Sequence, residues 1–246
     1  MPIWNNDEKK RFESLVKTAT LSPGLEWYQA SWAPKVIANK ERYKRVAQGL
    51  GCPLVMVPLI HSRENGPDVG VFKSYLGNGQ PLNKVTTIVP KGRGPFSSWE
   101  AGAIDALKLS SIDKVTEWSL ERMLFELERF NGFGYRGRIN TPYLWSHTNH
   151  YKSGLYVRDG VYSSSTVSKN PGCFALYLIL VGLDKDFEVG AVERPVEPPE
   201  VAPIAVGEVY PMYGNDDAFV RAFQDKFGLV VDGIPGKKTW AKLKEV

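Results

Sequence analysis

One carboxylate stands out by its setting. Glu64 ends an otherwise apolar run, LVMVPLIHSRE, immediately before Asn65-Gly66-Pro67. A carboxyl at the mouth of an apolar helix loses part of its hydration, which raises its pKa and suits it to donate a proton near neutral pH. A glycosidase general acid needs that setting. The competing reading is an exposed helix-end glutamate paired with Arg63 or Lys73. His61, three residues earlier, shares a helical face with Glu64 and is placed to tune or orient it; a satisfied structural histidine is the alternative. An inverting enzyme needs a base carboxylate about 6.5–9.5 Å from the acid, and a retaining one a nucleophile at about 5 Å. Asp68 is the nearest in sequence, whereas Glu100 and Asp105 fall on a helix that reads as structural. Thr86 and Thr87 can position a water. Gln80 can orient a water or bond an acetamido group, but it cannot act as a base.

Around this acid the chain is rich in rings and amides. Tyr135, Tyr143, Trp145, Tyr151 and Tyr156 are interspersed with Arg136, Asn140 and Asn149, and Tyr75 lies in the segment after Glu64. Sugar faces stack on aromatic rings while amides bond hydroxyl and acetamido groups. The alternative is that the rings fill a loop-rich core, which accounts for about half of them.

Rival chemistries are poorly supplied. A zinc peptidase needs three ligands and an open position, yet the histidines are only His61, His147 and His150, without an HExxH. Neither a metal nor a cofactor is expected. Cys173 sits at a helix start, where a thiolate is favoured, and Cys52 precedes the apolar helix; with no Cys-His motif both read as packing. The segment PKGRGP at residues 90–95 lacks the Lys-Ser of a nucleotide loop, and the basic residues form no continuous stripe, so nucleic acid is not an expected partner.

Several elements must position these groups. Residues 7–17 and 40–48 read as amphipathic helices, the second stopped by Gly49 and Gly51. Pro53 suits a helix N1 position, and Pro58 is expected to bend the helix that carries Glu64. Residues 69–89 mix β-branched residues with Gly77, Asn78 and Gly79 and read as a small irregular hairpin. Residues 99–109 and 114–130 read as helices, the latter capped by Asp113. Residues 130–159 read as a loop, and residues 172–183 as a buried helix. The longest apolar stretch, FALYLILVGL, is about half the ~20 residues a bilayer needs, so no membrane insertion is expected. Charges interrupt the N-terminus where a secretory signal would be apolar.

Composition changes sharply after residue 186. Residues 187–211 are dominated by proline and acids and read as a semi-stiff linker. Residues 1–186 carry a net charge of +7, the linker −4 and residues 212–246 +1, so an anionic partner suits the large domain. The tail FQDKFGLVVDGIPGKKTWAKL is similar to the peptidoglycan-binding type 1 module in its glycines, Asp-Gly turn and Thr-Trp pair. That resemblance implies cell-wall contacts through Phe223, Asp232 and Trp240.

The large domain carries a second resemblance. The strings IHSREN, YLGNGQPL, VPKGRGP and GAIDAL, followed by ERFNGFGYR and NTPYLWSHTNHYKSGLYVRDGVY, resemble a lysozyme-family peptidoglycan hydrolase of phage and bacterial origin. It implies an α+β, mostly helical lysozyme-like domain with a small β-hairpin, beside a small C-terminal α-helical module. Glu64 then matches the catalytic acid, with the hairpin around Asn78 and the Asn131-Gly132 loop lining the cleft. The family pattern often reads NGDPL where this chain has Asn78-Gly79-Gln80-Pro81-Leu82. The expected function is an endolysin that cleaves the β-1,4 bond between N-acetylmuramic acid and N-acetylglucosamine as a monomer. It would be made in a host cytoplasm and act on the wall after holin-type release. The alternatives are a lytic transglycosylase and a non-catalytic wall-binding protein.

Overall fold

The chain divides into two units, Met1–Glu200 and Val201–Val246. A computed structural model describes residues 2–66, 69–158, 160–189 and Gly228. In chain order these form α1 (Asn6–Thr18), a π-helical turn (Tyr28–Trp32), α2 (Ala33–Ala38), α3 (Lys40–Leu50), α4 (Met56–Asn65) and α5 (Trp99–Leu109). There follow α6 (Leu120–Asn131), the short α7 (Pro142–Trp145), strands β1 (Leu155–Arg158) and β2 (Val161–Ser163), and α8 (Cys173–Leu183). About half of the described residues are helical, and β1 and β2 pair antiparallel in one small sheet. The architecture is mixed, as α+β requires.

The core is organised by α8, whose sequence CFALYLILVGL has no charge and is buried from Cys173 through Val181. A helix apolar all round must be covered all round. The π-helical turn, α2, α4, α6 and α7 supply that cover. At its start Gly172 approaches the backbone of Leu144 and Trp145 so closely that a Cβ there would lie 2.6 Å from the Trp145 nitrogen. At its end Asp184 accepts from Lys40 Nζ at 2.8 Å, joining α8 to the start of α3.

α1 begins at Asn5, whose side chain accepts from the amides of Asp7 and Glu8, and buries Phe12 and Val16 against α6. α3 ends at Gly51 in the left-handed conformation (φ 63°), where glycine carries no steric cost. Gly49, expected as part of that stop, lies inside the helix.

Several expectations are corrected. Pro58 sits in the first turn of α4, where its missing N–H is not needed, so it starts the helix rather than bending it. The helix expected from residue 114 begins at Leu120, because the Ser119 hydroxyl accepts from the Arg122 amide and residues 112–114 form only a 3₁₀ turn. Residues 69–89 hold one isolated bridge, Ser74 to Pro81, and no strand; the hairpin lies instead at residues 155–163. Pro81 and Pro90 lack the donors a ladder needs, and side chains bond the backbone in its place. The linker expected from residue 187 starts later, since Phe187 and Val189 are buried in the core. The rest of residues 187–211 and the tail lie outside the described residues, apart from Gly228, whose φ of 65° suits a helix C-cap.

The close approach at Gly172 gives a direct test. Gly172→Ala forces backbone apart where α7 meets α8, and overpacking of this kind costs about 1–3 kcal/mol or more. The expected result is a lowered Tm and a lowered urea midpoint, measured against an Ala substitution at the open, exposed end of α1, which should change neither.

Candidate active site

The C-terminal turn of α4 presents Glu64, and α7 presents Tyr143 opposite it. The Thr141 hydroxyl caps α7 by accepting from the Tyr143 amide at 3.2 Å, with Pro142 pre-set at the first helical position. The buried Tyr143 hydroxyl donates to Glu64 Oε1 at 3.3 Å. Arg63 Nη1 donates to the Pro171 carbonyl at 2.9 Å, and its guanidinium lies over the Tyr143 ring, 4.9 Å from the centroid. Arg63, a partner expected of an ordinary surface glutamate, thus braces the entry to α8 and the face of Tyr143.

The Glu64 side chain is exposed, yet burial raises its carboxyl above the ordinary 4.5, opposed by the Tyr143 hydrogen bond and the Arg63 charge. The two observations agree if the surface is concave. A concave surface admits water from one side while protein atoms displace it from the others, and so raises a carboxyl that is still exposed. Tyr143 then favours the ionised form and the surroundings favour the protonated one. A carboxyl so balanced can give up a proton and take it back.

Cys173 is completely buried beside this group, and burial pushes its thiol up to about 12. It stays a thiol and packs, as a buried cysteine does. Cys52 is likewise pushed up to about 12 by burial.

His61 shares α4 with Glu64 but serves the core. It is fully buried among Tyr43, Phe72 and Trp99. The Tyr43 hydroxyl lies 3.0 Å from His61 Nδ1 and 2.9 Å from the Val69 carbonyl, bridging the two. Burial pulls His61 down to about 4, which keeps it neutral. The structural reading applies, because the ring is fully buried and its polar contacts, Tyr43 and the Val71 backbone, belong to the core.

Gln80 and Thr87 are brought together. Gln80 Nε2 donates to the Thr87 hydroxyl at 2.9 Å, and Gln80 Oε1 accepts from the amides of Thr87 and Ile88. The amide proposed to orient a water therefore closes its own loop. Asn78 does similar work, donating to the carbonyls of Ile88 and Pro90. Asp68 lies outside the described residues. Glu100 is gripped by Arg42 and Arg45, which hold its carboxyl down to about 2 against the opposing effect of burial. Asp105 pairs with Arg93 and accepts from Tyr75 at 2.8 Å. Both are structural.

The aromatic candidates divide. Tyr75 and Trp145 are buried completely and have no face to offer a sugar; Tyr75 stacks on Phe96 at 5.0 Å and Trp145 packs on Phe174. These two are corrected to core residues, because large rings near α5 and α8 gain more from burial than from solvent. Tyr135 accepts from the Tyr156 amide, and Tyr151 donates to the Gly154 carbonyl while accepting from Ser168, so both brace loops. Asn149 ties residues 18–20 to the 147–151 loop through two backbone hydrogen bonds. Asn131 is exposed and donates weakly to Thr141 at 3.4 Å, adjoining the cap of α7. Among the proposed sugar contacts, Tyr143 is the one joined to Glu64.

Residues 25–38 were not assigned an element from the sequence, although Leu25, Tyr28, Trp32 and Val36 recur at helical spacing. They form the π-helical turn and α2, and the half-buried Tyr28 in that turn lies within electrostatic reach of Arg63. His150 is held by the Leu15 carbonyl at 2.8 Å. Among the described residues no three His, Cys, Asp or Glu side chains stand close enough to hold a metal. No described helix is long and apolar enough to cross a membrane.

Residues 217–243 match the family model described as a putative peptidoglycan binding domain. The match supports a peptidoglycan-binding module in the tail, which suggests association with the cell wall. Phe223, Asp232 and Trp240 fall inside the matched span but outside the described residues. No curated protein and no solved structure matches the chain.

The balance at Glu64 is measurable. Carbon-detected NMR titration should place its carboxyl above the ordinary 4.5, and Tyr143→Phe, which removes a donor to the ionised form, should move it further up. Because the folded pKa exceeds the unfolded one, the stability associated with Glu64 is present below the unfolded pKa and lost as pH rises through the folded value. A titration at or below the ordinary value would contradict the upward push by burial.

Proposed function

We propose that this protein is a peptidoglycan hydrolase that cleaves the β-1,4 bond between N-acetylmuramic acid and N-acetylglucosamine, with Glu64 protonating the leaving oxygen. The observation that carries this reading is a carboxyl raised by its surroundings at the exposed end of a core helix, hydrogen-bonded to a buried tyrosine. The peptidoglycan-binding match at residues 217–243 supplies the substrate class. The resemblance of the large domain to the lysozyme family agrees with both. The C-terminal module raises the local concentration of wall around the catalytic domain through its tether. The +7 charge of residues 1–186 attracts an anionic envelope in a salt-sensitive way.

Protonation by Glu64 requires its acid form, so cleavage should fall as pH rises through the Glu64 pKa. For a hydrolytic route Asp68 is the nearest carboxylate in sequence, and Glu100 and Asp105 are committed to arginines; the alternative is a water positioned by Thr86 or Thr87. The same commitment favours a second reading, a lytic transglycosylase. There the muramic acid's own 6-hydroxyl attacks the anomeric carbon as the glycosidic oxygen departs with the proton from Glu64. The carboxylate left on Glu64 receives the hydroxyl proton, and a 1,6-anhydro ring results. On either route the enzyme acts at the wall, reached by holin-type release if the chain is a phage product.

Digestion of purified peptidoglycan by wild type and by Glu64→Gln, with products identified by mass spectrometry, separates these readings. Wild type should release glycan fragments, with reducing-end muramic acid on the hydrolytic route and 1,6-anhydromuramic acid on the other. Glu64→Gln should lose cleavage by at least about a hundredfold, the scale of general acid catalysis. Full glycan cleavage by that variant rules out the site, and intact glycan with wild type leaves a wall-binding protein. Removing residues 187–246 cuts into the buried Phe187 and Val189, so the better deletion is residues 201–246. It should weaken binding to insoluble wall more than it slows cleavage of soluble fragments; equal losses rule out the anchoring role.

A further inference from the structure

Away from Glu64, a cavity of about 360 Å³ opens between α1 and the loop that follows α6, lined by Arg11, Arg136, Gly137, Arg138, Ile139 and Asn140. Three guanidiniums at one cavity repel one another unless acids or a ligand compensate. Two are compensated from below. Glu128, almost wholly buried on α6, accepts from Arg11 Nη1 at 3.0 Å and from Arg136 Nη2 at 2.6 Å. Glu8 on α1 bonds the same two arginines. These pairs hold Arg11 and Arg136 rigidly. Arg138 is exposed, forms no salt bridge within 4 Å among the described residues, and lies 5.3 Å from the centroid of the Tyr162 ring. Three cations against two anions leave one positive charge at the cavity.

We propose that this cavity binds a carboxylate, and that the carboxylate belongs to the peptide stems of peptidoglycan. A planar guanidinium fork matches an oxyanion with two parallel hydrogen bonds. Arg138 supplies both the fork and the uncompensated charge, while Arg11 and Arg136, neutralised by Glu8 and Glu128, shape the wall of the cavity. The Tyr162 ring keeps the Arg138 side chain near the opening. A volume of this size admits a carboxylate with its adjoining backbone atoms. The glycan strands are rich in neutral hydroxyl and acetamido groups, whereas the stems carry free carboxylates. The cavity therefore recognises the part of the wall that a glycan cleft does not read. Its loop runs directly into Thr141 and α7, which carry Tyr143 to Glu64. The choice of ligand rests on the cell-wall reading above; the anion chemistry does not.

The test is calorimetric titration of the full chain with an acetylated alanyl-γ-glutamyl-lysine stem peptide, with the same peptide amidated at its carboxylates, and with inorganic phosphate. Wild type and Glu64→Gln should bind the acidic peptide alike. Amidation and Arg138→Gln should each weaken binding about tenfold or more, the scale of losing a charge-assisted pair, and Arg138→Lys should fall between. Arg138 is exposed, so an unchanged Tm confirms that its variants are folded. Equal binding of the acidic peptide by wild type and Arg138→Gln overturns the site. Binding of phosphate through Arg138 without binding of the peptide overturns the stem as its ligand. If the chain neither binds nor cleaves intact wall yet takes up the peptide through Arg138, the wall reading fails and the carboxylate chemistry stands. If it binds and cleaves wall without Arg138-dependent uptake, the reverse holds.

Discussion

The uniformly apolar α8 has no solvent face, and every neighbouring element must take part in covering it. Each large side chain it buries contributes roughly 1.5–3 kcal/mol relative to exposure, while the partly exposed ion pairs around the domain contribute much less each. Burial of α8 therefore decides which helices meet. α4, α6 and α7 converge on it, and the bare backbone of Gly172 lets α7 approach its first turn. Without that approach Tyr143 would not reach the end of α4.

The polar site is a product of this packing. α4 runs out of the core at Arg63 and Glu64, where the protein ends on one side and continues on the others. Arg63 spends its guanidinium on the Pro171 carbonyl and the Tyr143 ring. Glu64 is left with an incomplete hydration shell, which raises its carboxyl against the opposing pull of one hydroxyl donor. Cys173 and His61 lie close by in the fold or along the helix and remain neutral for the same reason, burial. Burial keeps Cys173 and His61 uncharged and pushes the Glu64 carboxyl in the same direction, and of the three only Glu64 is exposed to solvent.

How far the site was legible depends on the residue. Glu64 could be read because its neighbours along the chain, an apolar run on one side and Asn-Gly-Pro on the other, already describe a carboxyl at the edge of a core. The helix with residues 99–109 and the buried helix from residue 173 were legible for similar local reasons. The role of His61 was not, since i,i+3 spacing places two side chains near one face but does not say that Tyr43, eighteen positions away, will offer a hydroxyl. Tyr75 and Trp145 looked like sugar platforms because aromatic rings suit both sugars and cores, and only their position under α5 and α8 decides between the two. The hairpin was misplaced because β-branched residues at 85–89 suggest strands, while Pro81 and Pro90 and the side chains of Asn78 and Gln80 redirect the backbone bonding.

By itself the sequence determined the properties that depend on near neighbours: the helices with clear caps, the acid at the end of an apolar run, the change to an acidic proline-rich stretch, and the peptidoglycan-binding signature of the tail that the family match supports at residues 217–243. The tertiary structure decided which distant groups share a volume. It joined Tyr143 to Glu64 across 79 positions and Arg11 to Glu128 across 117. It also withdrew Glu100 and Asp105 into ion pairs. The physical reason is that hydration and pairing are set by everything within a few ångströms, and chain order specifies only a small part of what that volume contains.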